Sequence, residues 1–280
     1  MKLRCWGARG SIPVSGQEFE RYGGDTSCLE LRSKDDELLI LDAGTGIRAL
    51  GCELARQERT SLTLLLSHYH WDHIQGLPFF KPLYNPAANL RLGGCEGART
   101  ELTRVLARAL RPPLFPVPFD KVPARVTNVP FVEGTLRVGG LLVRRIAASH
   151  PNRAAGFRIE EDGKSLVYLT DNELSLRHRG GLNFADYVAF SQGADLLIHD
   201  AEYLPEEYPQ RRGWGHSHIG DAARLAREAG VGTLGLFHHN QERTDTAMDV
   251  LLERCREQLS RPGDPACLAL FQGFEMDIGP

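Results

Sequence analysis

Three histidines and one aspartate directly follow a short apolar run, and this stretch constrains the fold more than any other. Residues 62–66 are mostly leucine but too few for a core helix, which predicts a buried strand. If the backbone stays extended, His68 and His70 project to the same side, because strand side chains alternate with a period of two. Asp72 and His73 follow where the chain turns towards a helix. Imidazole and carboxylate groups bind Zn²⁺ and similar ions, so the stretch predicts a metal site.

A chance cluster of surface histidines is the competing interpretation of this stretch. The chain has ten histidines among 280 residues, so three of them within a window of six positions are not expected by chance. Metal ligands, in contrast, are commonly spaced this closely along a chain. We therefore favour the metal site.

Length and charge limit the class of protein. With 280 residues, 42% of them hydrophobic, the chain can bury an ample core in one large domain or two small ones. Because it shows no internal repeat and no low-complexity linker, we treat residues 1–280 as a single domain. Lys and Arg number 33 against 36 Asp and Glu, which gives a net charge of −3. This balance provides no overall basic field, so we expect no nucleic acid polymer as a partner.

The cellular environment is predicted from apolar runs and cysteines. The N-terminal residues lack the apolar core of a signal peptide, and no run approaches the ~18 apolar residues that a membrane span needs. The six cysteines are scattered without a CxxC pair, which favours reduced thiols over a disulfide framework. These observations predict a cytoplasmic protein with no membrane partner.

Further polar residues stand where other predicted strands end. His150 closes an apolar segment and precedes Pro151, which favours extended backbone at the histidine. Taken alone, a histidine at such a place would more often be structural. Asp171 ends the second strand of a predicted hairpin, and His238 ends a later strand, with His239 beside it.

The HxHxDH pattern at 68–73, together with these strand-end residues, resembles the metallo-β-lactamase superfamily of metallohydrolases. Within it, the motifs are most similar to the RNase Z-like and cyclic phosphodiesterase branch. The resemblance implies an α/β fold, an αββα sandwich. In that fold two mixed β-sheets face each other, helices cover their outer faces, and the metals lie at one sheet edge.

The resemblance also implies a ligand set for two divalent metal ions. Asp171 stands where the family has a bridging aspartate, and His238 matches the last ligand, although His239 stays an alternative. All implied donors are nitrogen or oxygen atoms, which suits Zn²⁺ but also Mn²⁺ or Fe²⁺. The set assigns one metal to His68, His70 and His150, a second metal to Asp72, His73 and His238, and Asp171 to both.

Catalytic residues follow from the same resemblance. In the RNase Z-like branch a histidine before a serine meets the scissile phosphate, and an acidic residue on the preceding strand orients it. His216 and Asp200 match these positions, with Glu202 as an alternative orienter. Together with the ligand Asp72, they form the implied catalytic set. The neighbouring His218 is expected to be structural, because it falls inside the start of a predicted helix.

Three local predictions concern structure rather than chemistry. Ser217 is a candidate N-cap for the helix that starts near Ile219. Residues 97–110 are predicted to form an amphipathic helix. Nine of the sixteen prolines lie between residues 78 and 130, and long ordered loops of this composition often shape a cleft. We interpret residues 78–130 as a Pro-rich rim over the site.

The substrate class is inferred from one spacing. RNase Z enzymes of bacterial type carry a long tRNA-gripping arm between the positions of His150 and Asp171, but only 21 positions separate them here, and one predicted hairpin fills the gap. With a net charge of −3, this argues against tRNA processing. We therefore predict a metal-dependent phosphodiesterase in which a hydroxide activated by two metals attacks a small, for example cyclic, phosphodiester.

Two alternatives stay open at this point. A lactonase or thioester hydrolase of the same fold would use the same hydroxide on a carbonyl carbon, although the Gly-His-Ser element at 215–217 resembles the phosphate-handling branch more. A non-catalytic metal-binding carrier or chaperone is an alternative of another class, against which the apparently complete ligand set argues. Relatives are often dimers, so the resemblance also suggests a homodimer.

Overall fold

Two seven-stranded sheets form the centre of the molecule. The computed structural model describes residues 1–95 and 99–278. In spatial order the first sheet consists of β14 (Glu275–Asp277), β1 (Lys2–Gly7), β2 (Cys28–Arg32), β3 (Leu38–Leu41), β4 (Ser61–Leu66), β5 (Asn89–Gly94) and β6 (Arg125–Asn128). The second consists of β13 (Ala266–Ala269), β12 (Thr233–Phe237), β11 (Leu196–Asp200), β10 (Lys164–Leu169), β9 (Ala154–Glu161), β8 (Leu141–Ala148) and β7 (Thr135–Val138).

Both sheets are mixed, as the predicted architecture requires. In the first sheet β1, β2 and β3 are antiparallel neighbours, whereas β3, β4, β5 and β6 run parallel. In the second sheet β7 to β10 are antiparallel neighbours, and β10 to β13 run parallel. The predicted hairpin between His150 and Asp171 is the pair β9 and β10.

Helices cover the outer faces of the sheets. α1 packs on the first sheet, and α4, α5 and α6 pack on the second, where they share apolar clusters with outward-facing strand residues. This arrangement confirms the αββα sandwich. The six helices of the described residues are α1 (Ile47–Arg56), α2 (Trp71–Ile74), α3 (Arg99–Ala109), α4 (Phe184–Ser191), α5 (Ile219–Glu228) and α6 (Asp245–Gln258).

Continuous apolar strands arise because both faces of each sheet are buried. On β11, Leu196 and Ile198 belong to the cluster between the sheets, while Leu197 belongs to the cluster under the helices. This is the period of two expected of a strand, with an apolar layer on each side. The leucine run of β4 has the same explanation, since its side chains also divide between two apolar clusters.

The topology collects the ends of several strands at one edge. β8, β10, β11 and β12 all run in the same direction through the second sheet, so their carboxyl ends lie together. The end of β4 joins them from the other sheet, because the backbone N–H of Ala155 donates to the carbonyl of Ser67 at 2.9 Å. Every predicted ligand therefore follows a strand end at this edge, which positions the site.

Two local predictions need comment. Ser217 is not the N-cap of α5, so that prediction is wrong. The cap is His218, whose Nδ1 accepts from the backbone N–H groups of Gly220 and Asp221, because the imidazole reaches the free donors of the first turn. The predicted helix at 97–110 corresponds to α3, and its positions 97 and 98 lie outside the described residues.

The Pro-rich stretch at 78–130 contributes more than a rim. It supplies β5 and β6, which extend the first sheet, and Phe119 is buried in the cluster beneath α1. The Phe79 and Phe115 rings meet edge to face at 5.7 Å. The role of this stretch as a rim over the site stays a prediction.

Among the described helices none has the length and hydropathy of a bilayer span. The longest of them, α6, has 14 residues, whereas a span needs about 20.

Candidate metal centre

A first cluster of side chains gathers around His150, which follows β8. Its Nε2 lies 3.0 Å from His70 Nδ1 and 3.7 Å from Asp171 Oδ2. His68 Nε2 approaches the same aspartate oxygen at 3.5 Å. One ligand atom from each of these four residues lies within 4.8 Å of the others, so the group is compact enough to surround one ion.

A second cluster lies on the other side of Asp171. His238 Nε2 is 3.0 Å from Asp72 Oδ2 and 3.4 Å from Asp171 Oδ1. His73 Nε2 lies 3.2 Å from the same Oδ1. The two oxygens of Asp171 thus face different clusters, which is the arrangement a bridging carboxylate requires.

The donor set fits divalent metal ions. His68 Nε2 and His73 Nε2 are buried and make no hydrogen bond within the described part of the chain, although buried polar atoms are nearly always paired. Both atoms face carboxylate oxygens at the centre of a cluster. All donors are imidazole nitrogens or carboxylate oxygens, and no cysteine is among them. Such histidine and aspartate clusters are suited to binding divalent metals.

The electrostatics of the two clusters differ. Burial lowers the pKa of His150 to about 3 and that of His68 well below its usual value, which keeps both rings in the neutral form that binds metals. Burial also acts to lower the pKa of His73 and His238, but Asp171, Asp72 and a further carboxylate beside each ring together outweigh it and raise both pKa values well above normal. The second cluster therefore attracts positive charge, whether from protons or from a cation.

A layer of outer contacts orients the histidines. His73 Nδ1 donates to Asp42 Oδ2 at 2.9 Å, and Asp42 in turn accepts from the Ser67 backbone N–H and the Tyr168 hydroxyl. His150 Nδ1 donates to the carbonyl of Gly215 at 2.9 Å. With Nδ1 engaged, each ring presents Nε2 to the cluster, which is the usual way in which proteins fix a ligand tautomer.

His216 lies beside the second cluster. Its ring stacks on His238 with centroids 4.7 Å apart, and its Nδ1 donates to Asp200 Oδ2 at 2.8 Å. Glu202 Oε2 lies 3.4 Å from the same nitrogen. Burial alone would lower the pKa of His216, but Glu202 and Asp200 raise it to about 9. The two carboxylates thus favour the protonated form of the imidazole next to the candidate metal centre.

Asp200 and Glu202 both contact His216, although the sequence analysis treated these two acidic residues as alternatives. Glu202 also accepts from His238 Nδ1 at 3.1 Å, and Asn240 donates to its other oxygen. The four groups Asp200, Glu202, His216 and His238 lie close enough for a metal ion. Their facing atoms are already joined by N–H···O contacts, so we interpret Asp200 and Glu202 as groups that orient His216 and His238.

The alternative ligand His239 points away from both clusters. Its Nε2 donates to the carbonyl of Leu270 at 2.6 Å, and its ring packs against Tyr22. Of the paired histidines, only His238 contributes to the candidate centre. His238 follows the end of β12 and has a φ of 57°, so the chain turns there and the two neighbouring side chains point in different directions.

Glu173 is a contributor that sequence reasoning missed. It is buried, and its oxygens accept from the backbone N–H groups of Gly213 and Gly215, both at 2.8 Å, and from the Tyr208 hydroxyl at 2.7 Å. These bonds hold the loop that carries the Gly215 carbonyl and His216. The partners of Glu173 lie about forty positions away in the chain, so no local sequence pattern predicts these contacts.

Gly215 is the position where the loop tolerates no side chain. Its φ is +96°, and an added Cβ would lie 2.0 Å from His150 Nδ1. Gly213 has a similar φ of +92°, but its Cβ would meet nothing closer than Leu176 Cδ2 at 3.9 Å. Alanine at either position would therefore strain the backbone to a similar degree, but only alanine at Gly215 would also displace His150.

We expect Gly215→Ala to weaken metal binding at the first cluster by about 10–100-fold, the usual cost of disturbing a ligand's outer contact. The measurement is metal titration of the stripped protein, with Gly213→Ala as the matched control that carries similar strain. Equal metal affinity in the two variants would contradict the assignment of His150 as a ligand.

Known proteins resemble this chain in sequence and in fold. A family model described as "Beta-lactamase superfamily domain" matches residues 38–239. The ribonuclease Z of Thermoplasma acidophilum is 26% identical over an alignment of 266 positions, gaps included, and the alignment covers 80% of this chain and 83% of the relative.

Two solved structures share the fold. The metallo-β-lactamase fold protein YhfI from Bacillus subtilis is similar with a TM-score of 0.73 and 22% identity, over 98% of each chain. A diphosphatase from the PhnP family is similar with a TM-score of 0.68 and 18% identity, over 99% of this chain and 98% of that one.

Proposed function

The chain belongs to the β-lactamase superfamily, and from this premise we propose that it is a metal-dependent phosphodiesterase acting on a small phosphodiester, such as a cyclic nucleotide. The observation that carries the proposal is His216, a buried imidazole paired with Asp200 and Glu202 beside two histidine and aspartate clusters. The names of two similar proteins, a ribonuclease and a diphosphatase, agree with chemistry at phosphorus.

The metal centre is part of this proposal. Two divalent ions, for which Zn²⁺ is our first choice and Mn²⁺ or Fe²⁺ the alternatives, would be held by the two clusters that share Asp171. Bound there, they would supply Lewis-acid activation of water and neutralise charge on phosphoryl oxygens. Asp72 Oδ2 accepts from the Ser11 backbone N–H at 2.8 Å, which fixes its carboxylate at the edge of the second cluster. From there it can orient the attacking water.

His216 has the role of proton donor. Because Nδ1 is engaged by Asp200, Nε2–H is the atom left to face a substrate. Two neighbouring carboxylates keep the ring protonated near neutral pH, since its pKa is raised to about 9. Such a group stabilises charge on a phosphoryl oxygen or protonates the leaving alkoxide.

A small substrate is favoured over tRNA by the second sheet. The gap between His150 and Asp171 is filled by β9 and β10, which pair along their length and turn at residues 162–163. Most residues of this segment belong to the sheet, so the segment is too short to include a long arm as well. The net charge of −3 also lacks the basic field that a polynucleotide would require.

The reaction class is tested by assaying metal-reconstituted protein on five substrates. These are bis(p-nitrophenyl) phosphate, 2′,3′-cyclic AMP, 3′,5′-cyclic AMP, an acyl lactone and a tRNA precursor. We expect turnover of small phosphodiesters that disappears in Asp171→Ala, because the shared ligand is lost. Asp162→Ala, on the exposed turn of the same hairpin, is the matched control and should retain activity.

Each other outcome would point elsewhere. Turnover of the lactone alone would move the protein to carbonyl chemistry. Cleavage of the tRNA precursor alone would make it a ribonuclease. Absence of turnover on every substrate, with both metals bound, would favour a non-catalytic carrier.

The role of His216 is tested separately by replacing it. We expect His216→Ala to lower kcat by about 10²–10⁴-fold while both metals stay bound, because general acid catalysis contributes on this scale. His218→Ala is the matched control: this histidine lies two positions away but caps α5, so it should lose some stability and keep its kcat. Undiminished turnover in His216→Ala, or loss of its metals, would exclude the proton-donor role.

A further inference from the structure

A cavity of about 520 Å³ lies next to the candidate metal centre. Its walls come from the end of β8, the start of β9 and the loop at residues 179–180, with Gly134 at one side. Beyond Arg144, β8 has no β7 partner, so this end of the strand forms an open edge of the second sheet. The size lies within the range of small-molecule sites, which is about 300–1,000 Å³.

Residues 150–153 connect the metal centre to the cavity along the chain. Arg153, which lines the cavity, follows His150 by three positions, and Asn152 between them lies 3.4 Å from His70 Nε2 through its amide nitrogen. On the other side, Gly181 packs against Ser149, where an added Cβ would lie 2.7 Å from the serine Cα. A ligand that has one end among the histidines would reach the cavity along this stretch.

The backbone of this stretch is unusual. Asn152 and Arg153 have φ values of 65° and 68°, in the left-handed region that residues other than glycine rarely adopt. Two consecutive residues in this conformation are costly, and such strain concentrates at functional sites. Here the two residues lie between the candidate ligand His150 and β9, and Arg153 lines the cavity.

Three arginines and no acidic side chain are among the described residues that line the cavity. Arg145 is fixed, because its Nη1 donates to the carbonyl of Gly94 at 3.1 Å and its guanidinium lies 5.0 Å from the Phe131 ring centroid. Arg153 and Arg179 have no carboxylate partner in the described part of the chain. Positive charge without such a partner, in a protein of net charge −3, indicates an anionic ligand.

We propose that this cavity binds a second anionic group of the substrate, a phosphate monoester, while the ester to be cleaved lies at the metal centre. The inference rests on the proposed phosphodiesterase function and narrows it to substrates that carry two phosphate groups. A guanidinium binds phosphate through two parallel N–H···O bonds, so Arg153 and Arg179 select for a phosphate at a fixed distance from the scissile bond.

The test compares two substrates that differ only in the second phosphate: 2′,3′-cyclic AMP and the same nucleotide with a 5′-phosphate. We expect the holoenzyme to prefer the phosphorylated substrate in kcat/KM by roughly 10–100-fold, the scale of a charged hydrogen-bonded contact. Arg153→Gln and Arg179→Gln should each remove most of that preference by raising the KM of the phosphorylated substrate.

Arg144→Gln is the matched control, because Arg144 lies on the same strand but pairs with Glu160 outside the cavity. It should leave the preference intact. Equal kcat/KM for the two substrates in the wild-type holoenzyme would overturn the proposal, as would a preference that survives both glutamine variants.

A binding measurement separates this proposal from the phosphodiesterase function. Ribose 5-phosphate added to the holoenzyme should shift the backbone amide signals of Gly134 and Gly180, two glycines that line the cavity, and ribose should not. If these shifts occur and vanish in Arg179→Gln while no phosphodiester is cleaved, the cavity is supported and the enzymatic function is not. Cleavage of phosphodiesters without any such shift would reject the cavity alone.

Discussion

The carboxylate of Asp171 is the group on which the rest of the site depends. It is almost completely buried, one oxygen faces His68 and His150, and the other faces His73 and His238. Burial acts to raise the pKa of this carboxyl group, yet the surrounding histidines hold it well below its usual range. An ionised carboxylate in such a place needs compensating positive charge. His73 and His238, whose pKa values are raised, can supply it on one side, and a bound cation would supply it on the side of the neutral His68 and His150.

The sandwich fold meets that requirement through strand direction. Parallel strands of the second sheet end at the same edge, so residues that are far apart in the chain meet around Asp171, and β4 adds its histidines from the facing sheet. Asp42 and Glu173 then fix the rings and the loop from outside. The candidate ligands therefore follow strand ends, while the loops that carry His216 and Arg153 would provide the groups that our proposals assign to the substrate.

Local patterns in the sequence were sufficient for much of this arrangement. The leucine run of β4, the histidines directly after it and the strand-end positions of His150 and Asp171 each depend on a few neighbouring residues. The resemblance to a known family supplied the pairing between them. Contacts across long separations could not be read in this way. The bonds from Glu173 to the loop at Gly213 and Gly215, and the contact of Glu202 with His238, join distant parts of the chain. The cavity lined by arginines exists only once β8 meets the loop at 179–180. The predicted N-cap of α5 was wrong, because the side chain of His218 caps the helix and that of Ser217 does not.

The most direct measurement of the central claim is anomalous X-ray diffraction at the absorption edge of the metal that copurifies with the protein. The account requires two peaks, one among His68, His70 and His150 and one among Asp72, His73 and His238, with Asp171 in contact with both. A single peak, or two peaks that do not share Asp171, would contradict the account.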